Sequence, residues 1–130
     1  MDDRGCVFDT GALIDVYHGR SRVRPYFDRL FEASFPAFIS PVSEAELWLG
    51  LQPGELERHE ALLTLFVSLP LTSGIGCLAG EWMRRFGPKG LGWMDALIVA
   101  TAAAAGVPAL TRDQRLARVL SSEAEFILYE

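Results

Sequence analysis

Four acidic residues stand where an α/β sheet could bring side chains together: Asp9, Glu46, Asp95 and Asp113. Carboxylates gathered at one place repel one another unless cations or basic side chains compensate. An all-oxygen donor set suits a hard divalent cation, Mg²⁺ or Mn²⁺, rather than zinc. Such an ion retains waters, activates one of them and stabilises charge on a phosphodiester under in-line attack. Each residue also has a structural role open to it. Asp9 fits a turn that bonds its own backbone. Glu46 follows Ser43 at the spacing of a capping box, Asp95 suits the positive end of a helix, and Asp113 suits an N-cap. Asp95, however, precedes Ala96-Leu97-Ile98-Val99, an apolar setting in which a lone carboxylate is costly. One structural role explains one residue; four acids at one edge need a common cause.

The elements that must position them follow from apolar runs and breakers. Gly5 to Phe8 reads as a buried strand ending at Asp9, and Ala12 to His18 as a short helix closed by Gly19. A basic loop, Arg20 to Pro25, leads into a helix through Ala33, with Pro25 in its first turn. Ala37-Phe38-Ile39 is a second strand; Ser43 is placed to cap a helix to Gly50, and Glu55 to Val67 is amphipathic. Leu69-Pro70-Leu71 reads as a minor strand, Ser73 to Phe86 as a helix, and Gly87 to Gly90 as a turn. Met94 to Ala105 is apolar almost all round and therefore belongs in the interior. Gly106 ends it, Val107 to Leu110 is a third clear strand, Asp113 to Leu120 a helix, and Glu125 to Leu128 a last strand. Short apolar strands alternating with helices predict an α/β domain with a central, mainly parallel sheet. Sites in such sheets form beyond the carboxyl ends of the strands, where all four acids fall.

Length and composition agree. One domain over residues 1–130 is expected, with half of the chain apolar and enough aromatic residues for a core. Cys6 and Cys77 lack CxxC spacing and are expected as two buried free thiols in a reducing cytoplasm. The start Met1-Asp2-Asp3-Arg4 is acidic where a secretory signal is basic, and the apolar stretch Trp93 to Leu110 is interrupted by Asp95, Gly106 and Pro108. A cytoplasmic protein without a membrane span is expected. Net charge is −5, but eleven of the twelve basic residues are Arg, the better residue for bidentate phosphate contacts. Placement of charge therefore matters more than its total.

Other chemistries find little support. His18 and His59 are the only histidines, and His59 lies in the polar stretch Glu57-Arg58-His59-Glu60, so neither a histidine-pair nuclease nor a zinc site is expected. Gly74 and Gly76 form no dinucleotide fingerprint, and no P-loop is present. A phosphatase with Asp9 as nucleophile and Lys89 as helper would want a second carboxylate at position 11, which is Gly.

The segments carrying the acids resemble the PIN-domain family, and within it VapC-like toxins. Val7-Phe8-Asp9-Thr10-Gly11-Ala12-Leu13-Ile14 is similar to the family's opening strand and first acid. Ile39 to Gly50, with Glu46-Leu47 and Gly50, resembles its second motif; Gly92 to Ala102 resembles the third, and Leu110-Thr111-Arg112-Asp113 the fourth. Four motifs in family order are far more specific than any one of them. Glu44 and Glu46 face nearly opposite ways on a helix, and the family pattern selects Glu46. Many relatives carry a further acid shortly after the fourth motif, where this chain has Gln114 and Arg115.

The resemblance implies a three-layer fold and a Mg²⁺- or Mn²⁺-dependent endoribonuclease leaving a 5′-phosphate and a 3′-hydroxyl. Asp9, Asp95 and Asp113 would be ligands, with Glu46 orienting the water or completing the outer shell. Thr10 and Thr111 are candidates to bond the carboxylates or the scissile phosphate. Arg112 and Arg115, then Arg20, Arg22 and Arg24, are candidates for RNA contacts. A cognate VapB-like antitoxin and a homodimer are the implied partners, with Trp48, Leu51, Trp82 and Phe86 open to interface or core roles. A non-catalytic RNA- or protein-binding PIN module is the main rival, and a DNA-directed nuclease shares the chemistry.

Overall fold

Residues 4–29, 32 and 35–130 are described by a computed structural model. Its strands are β1 (Cys6–Phe8), β2 (Ala37–Ile39), β3 (Val67–Ser68), β4 (Ala109–Thr111) and β5 (Phe126–Leu128). All pair in parallel, in the order β3-β2-β1-β4-β5. The chain thus starts at the centre, winds outward through β2 and β3, and returns to place β4 on the other side of β1. This reversal opens a crevice at the carboxyl ends of β1 and β4. Asp9 and Asp113 follow those two strands.

The helices are α1 (Thr10–Tyr17), α2 (Arg24–Asp28), α3 (Pro41–Leu49), α4 (Leu56–Leu63), α5 (Ser73–Phe86), α6 (Trp93–Ala105) and α7 (Gln114–Val119). Strand periodicity sends alternate side chains into two cores. Cys6, Phe8, Ala37, Ile39 and Leu110 pack with Leu13 of α1, Val23, Phe66 and Tyr129 on one face. Val7 and Ala109 pack on the other with Trp82 of α5, Ile98 and Val99 of α6 and Leu116 of α7. Three layers result, helices on both faces of one sheet. Helix α3 contributes Val42 to one core and Leu47 to the other, so it straddles the end of the sheet.

Several expectations shift. Helix α3 begins at Pro41, and Ser40 rather than Ser43 caps it, accepting from Val42 N at 3.1 Å. Proline at the first helical position has already surrendered its N–H, which favours the earlier start. Helix α4 stops at Leu63, and the minor strand lies at Val67–Ser68, not Leu69–Leu71, because Val67 and Ser68 are the residues in register with Phe38 and Ile39. Helix α2 ends at Asp28; much of its expected extension to Ala33 lies outside the described residues. Cys6 is buried, but Cys77 is exposed on α5; both thiols are free. Trp82 and Phe86 belong to the core, whereas Trp48 is 60% exposed. His59 is buried despite its polar neighbours, edge-on to the Trp48 ring. Among the described residues no helix is long and apolar enough to cross a membrane.

Candidate active site

Asp9 leaves β1 in extended conformation and caps α1, its Oδ1 accepting from Ala12 N at 2.7 Å. Burial raises its pKa to about 6; bonds from the Thr111 hydroxyl and Ala12 N oppose the rise, and the charges of Asp95 and Asp113 add to it. Asp113 plays the matching part beyond β4, capping α7 through Oδ1 to Leu116 N at 3.0 Å. Thr111, fully buried, ties the two together. Its Oγ1 accepts from Asp113 N at 3.0 Å, and its hydroxyl bonds the Asp9 carboxylate.

Asp95 sits in the first turn of α6, half-buried, where the dipole favours a negative charge. Its pKa is nevertheless raised, first by burial and then by Asp113 and Glu46. Glu46 is exposed on α3, yet fixed: Thr10 Oγ1 donates to its Oε1 at 2.7 Å. Ser43 lies 3.0 Å from the same Thr10 oxygen; with the Thr10 hydrogen directed to Glu46, Ser43 is the donor in that contact. Glu44 points elsewhere, accepting from Ser68 Oγ at 2.7 Å. The four expected carboxylates are therefore electrostatic neighbours at one edge of the sheet. Among the described residues, no three His, Cys, Asp or Glu side chains are gathered closely enough to hold a metal ion as they stand. The all-oxygen donor set and the upward shifts of Asp9 and Asp95 suit a site whose charge is to be balanced by a hard cation.

The arginines divide. Arg115 lies beside the cluster, lining a cavity of about 170 Å³ with Asp95 and Asp113. Its Nη2 donates to the Lys89 carbonyl at 3.3 Å and rests over Gly90, where a Cβ would come within 1.9 Å. Gly90 has φ +98°, a left-handed conformation that favours glycine, and its lack of a side chain leaves the guanidinium room. Arg112 pairs with Asp15 at 3.4 Å, and together with Arg20 and Arg22 lines a second cavity of about 330 Å³. Arg24 instead faces Asp28 of its own helix at 3.9 Å. Lys89 lies over the Phe86 ring, its Nζ 5.8 Å from the centroid.

Asp15 and Tyr129 escaped the sequence reading, which gives Ser43 only as a helix cap. Asp15 is 2% exposed and accepts from the Tyr129 hydroxyl at 2.7 Å; its other oxygen has only the Arg112 ion pair. The signal present was an acid between Ile14 and Val16 in an apolar helix; nothing local marks Tyr129 as its partner. Because a buried carboxylate deprived of a donor costs about 1–3 kcal/mol, Tyr129→Phe should lower the free energy of urea unfolding by that amount, seen as a lower midpoint with an unchanged slope.

A family model described as PIN domain matches residues 6–120. Among solved structures, the chain is similar to a toxin–antitoxin complex from Klebsiella pneumoniae, at 22% identity and TM-score 0.74 over 94% of this chain and 95% of that one. It is also similar to VapBC2 from Rickettsia felis (17%, TM-score 0.77, 97% and 99% covered) and to VapBC-1 from nontypeable Haemophilus influenzae (18%, 0.78, 95% and 97%). At such identities these likenesses show a shared fold. No match was found among curated protein sequences.

Proposed function

This chain belongs to the PIN-domain family, and from that membership and the site we propose that it is a metal-dependent endoribonuclease, the toxin of a VapBC-type pair. One observation carries the reading: at the crevice between β1 and β4, Asp9, Asp95 and Asp113 lie close enough for their charges to act on one another, and Glu46 acts on Asp95. A scaffold has no use for that repulsion. Mg²⁺ or Mn²⁺, when bound, supplies an activated water and charge neutralisation on the phosphodiester.

Asp9, Asp95 and Asp113 are the residues that would hold it. Thr111 keeps Asp9 and Asp113 in one orientation, and the Ser43–Thr10–Glu46 chain fixes the fourth carboxylate where it can orient an attacking water. Arg115, resting over Gly90 beside Asp95 and Asp113, supplies a cation to the scissile phosphate in a stretch where many relatives have an acid. The cavity lined by Arg20, Arg22 and Arg112 extends the contact to neighbouring phosphates of a single strand. The toxin assignment draws on the likeness to toxin–antitoxin complexes. Exposed Trp48, Leu49 and Val67 offer apolar surface for an antitoxin or a second copy.

The non-catalytic module keeps one argument: Asp9 and Asp113 already serve as helix caps. Cleavage of a pooled, end-labelled RNA set, with Mg²⁺ or Mn²⁺ and with EDTA, separates the two. Discrete cuts that vanish in EDTA and in Asp95→Asn are expected; folded, antitoxin-free protein that cuts nothing sinks the nuclease reading. A parallel DNA set reports the preference between nucleic acids.

A further inference from the structure

Beside Glu46, α1 and the α3–α4 segment line a cavity of about 240 Å³. Ile14, Leu47 and Leu51 give it apolar walls, and Tyr17, Gln52 and Glu55 bring polar atoms to it. The Tyr17 hydroxyl is buried and makes no hydrogen bond of good geometry; after burial itself, the Glu55 carboxylate beside it raises its pKa by charge and by a poorly aligned hydrogen bond. Its ring is held in place: the Arg58 guanidinium lies 4.3 Å from the ring centroid and donates to the Tyr17 carbonyl. Glu55 uses Oε1 to accept from Gln52 N at 2.7 Å, which leaves Oε2 without a hydrogen bond. Gln52 donates through Nε2 to the Gly50 carbonyl at 3.2 Å, which leaves its amide oxygen as an acceptor.

An apolar cavity with acceptors in its lining does not suit a phosphate, which Glu46 and Glu55 would repel. It suits a planar ring with donors on its edge. We propose that this cavity is a base subsite for the nucleotide flanking the scissile phosphate, and that it selects guanine. Guanine alone presents two adjacent donors, N1–H and the N2 amino group, to one carboxylate, here Glu55. The Glu55 Oε2 is open and its Oε1 keeps a second lone pair beside the bond from Gln52 N, with the Tyr17 hydroxyl next to that carboxylate. Bases splayed from single strands are read on this Watson–Crick edge, and a bidentate pair of this kind discriminates about tenfold or more. The inference rests on the nuclease reading only for the base's position beside the scissile bond.

Fluorescence anisotropy in EDTA, with single-stranded RNA hexamers differing at one central base, tests the subsite without cleavage. The guanine hexamer should bind about tenfold more tightly than the uridine hexamer, and Glu55→Gln should reduce the difference to about twofold or less. Tyr17→Phe should weaken binding of the guanine hexamer, and thermal melting verifies that both variants are folded. Equal binding of all bases, or discrimination that survives both substitutions, overturns the subsite. So does binding there of an apolar peptide that no RNA displaces. Guanine-dependent binding in a protein that cuts nothing with Mg²⁺ or Mn²⁺ supports the subsite and counts against the nuclease; cuts without base preference do the reverse.

Discussion

Asp9→Asn should lose cleavage and gain stability. Substitution of groups that merely support a metal ligand costs about 10–100-fold, so removal of a carboxylate at the centre of the cluster should cost at least about a hundredfold in rate. The same change relieves the metal-free fold at neutral pH. Asp9 has a folded pKa of about 6 against an ordinary value of 3.8, raised first by burial. With the folded value the higher one, the protonated carboxyl favours the fold fully below about pH 4. That advantage is lost as pH rises through about 6. The shift corresponds to roughly 3 kcal/mol. Asparagine retains an oxygen for Ala12 N and so keeps the cap on α1. Urea unfolding in EDTA should therefore show Asp9→Asn about 1–3 kcal/mol more stable than the parent at pH 7.5 and no more stable at pH 4. Equal loss of stability at both pH values would show that Asp9 is chiefly a cap; retained cleavage would remove it from the chemistry.

Mg²⁺ or Mn²⁺ should raise the melting temperature strongly at pH 7.5 and weakly at pH 5. A cation competes with a proton for Asp9, and a group of pKa about 6 is about nine-tenths protonated one unit lower. Apparent affinity should fall at least about tenfold between pH 7.5 and pH 5, and titration near pH 6 should release protons in step with binding. Asp95, also raised by burial and by Asp113 and Glu46, steepens the dependence in the same direction. Cleavage should follow the affinity curve at limiting metal. An affinity that does not change with pH would mean that Asp9 is not a ligand, and Asp95→Asn compared with Asp9→Asn in the same titration then shows which carboxylates are.

Local pattern was enough for most of the elements and for the edge on which the acids lie. Ser73–Phe86 and Ala37–Ile39 appear where the apolar runs and breakers place them, and Gly106 closes α6 in the left-handed conformation that glycine adopts without cost. Asp9 and Asp113 could be placed at strand ends because a strand, a turn residue and a helix start are all written within a few residues. The family motifs then joined segments that lie far apart in sequence.

Tertiary structure decided what depends on partners distant along the chain. Glu44 and Glu46 are two positions apart on one helix, and only the packing of α3 between α1 and α6 turns Glu46 toward Thr10 and Asp95, and Glu44 toward Ser68. Arg112 lies next to the fourth motif in sequence, yet its charge is directed to Asp15, an interior carboxylate whose other oxygen is bonded by Tyr129, 114 residues away. His59, in a stretch that reads as solvated, is buried by the exposed Trp48 above it. Periodicity reports which side of an element is apolar. It carries no term for which polar atoms will meet once the layers close, because that is fixed by sheet order and helix docking.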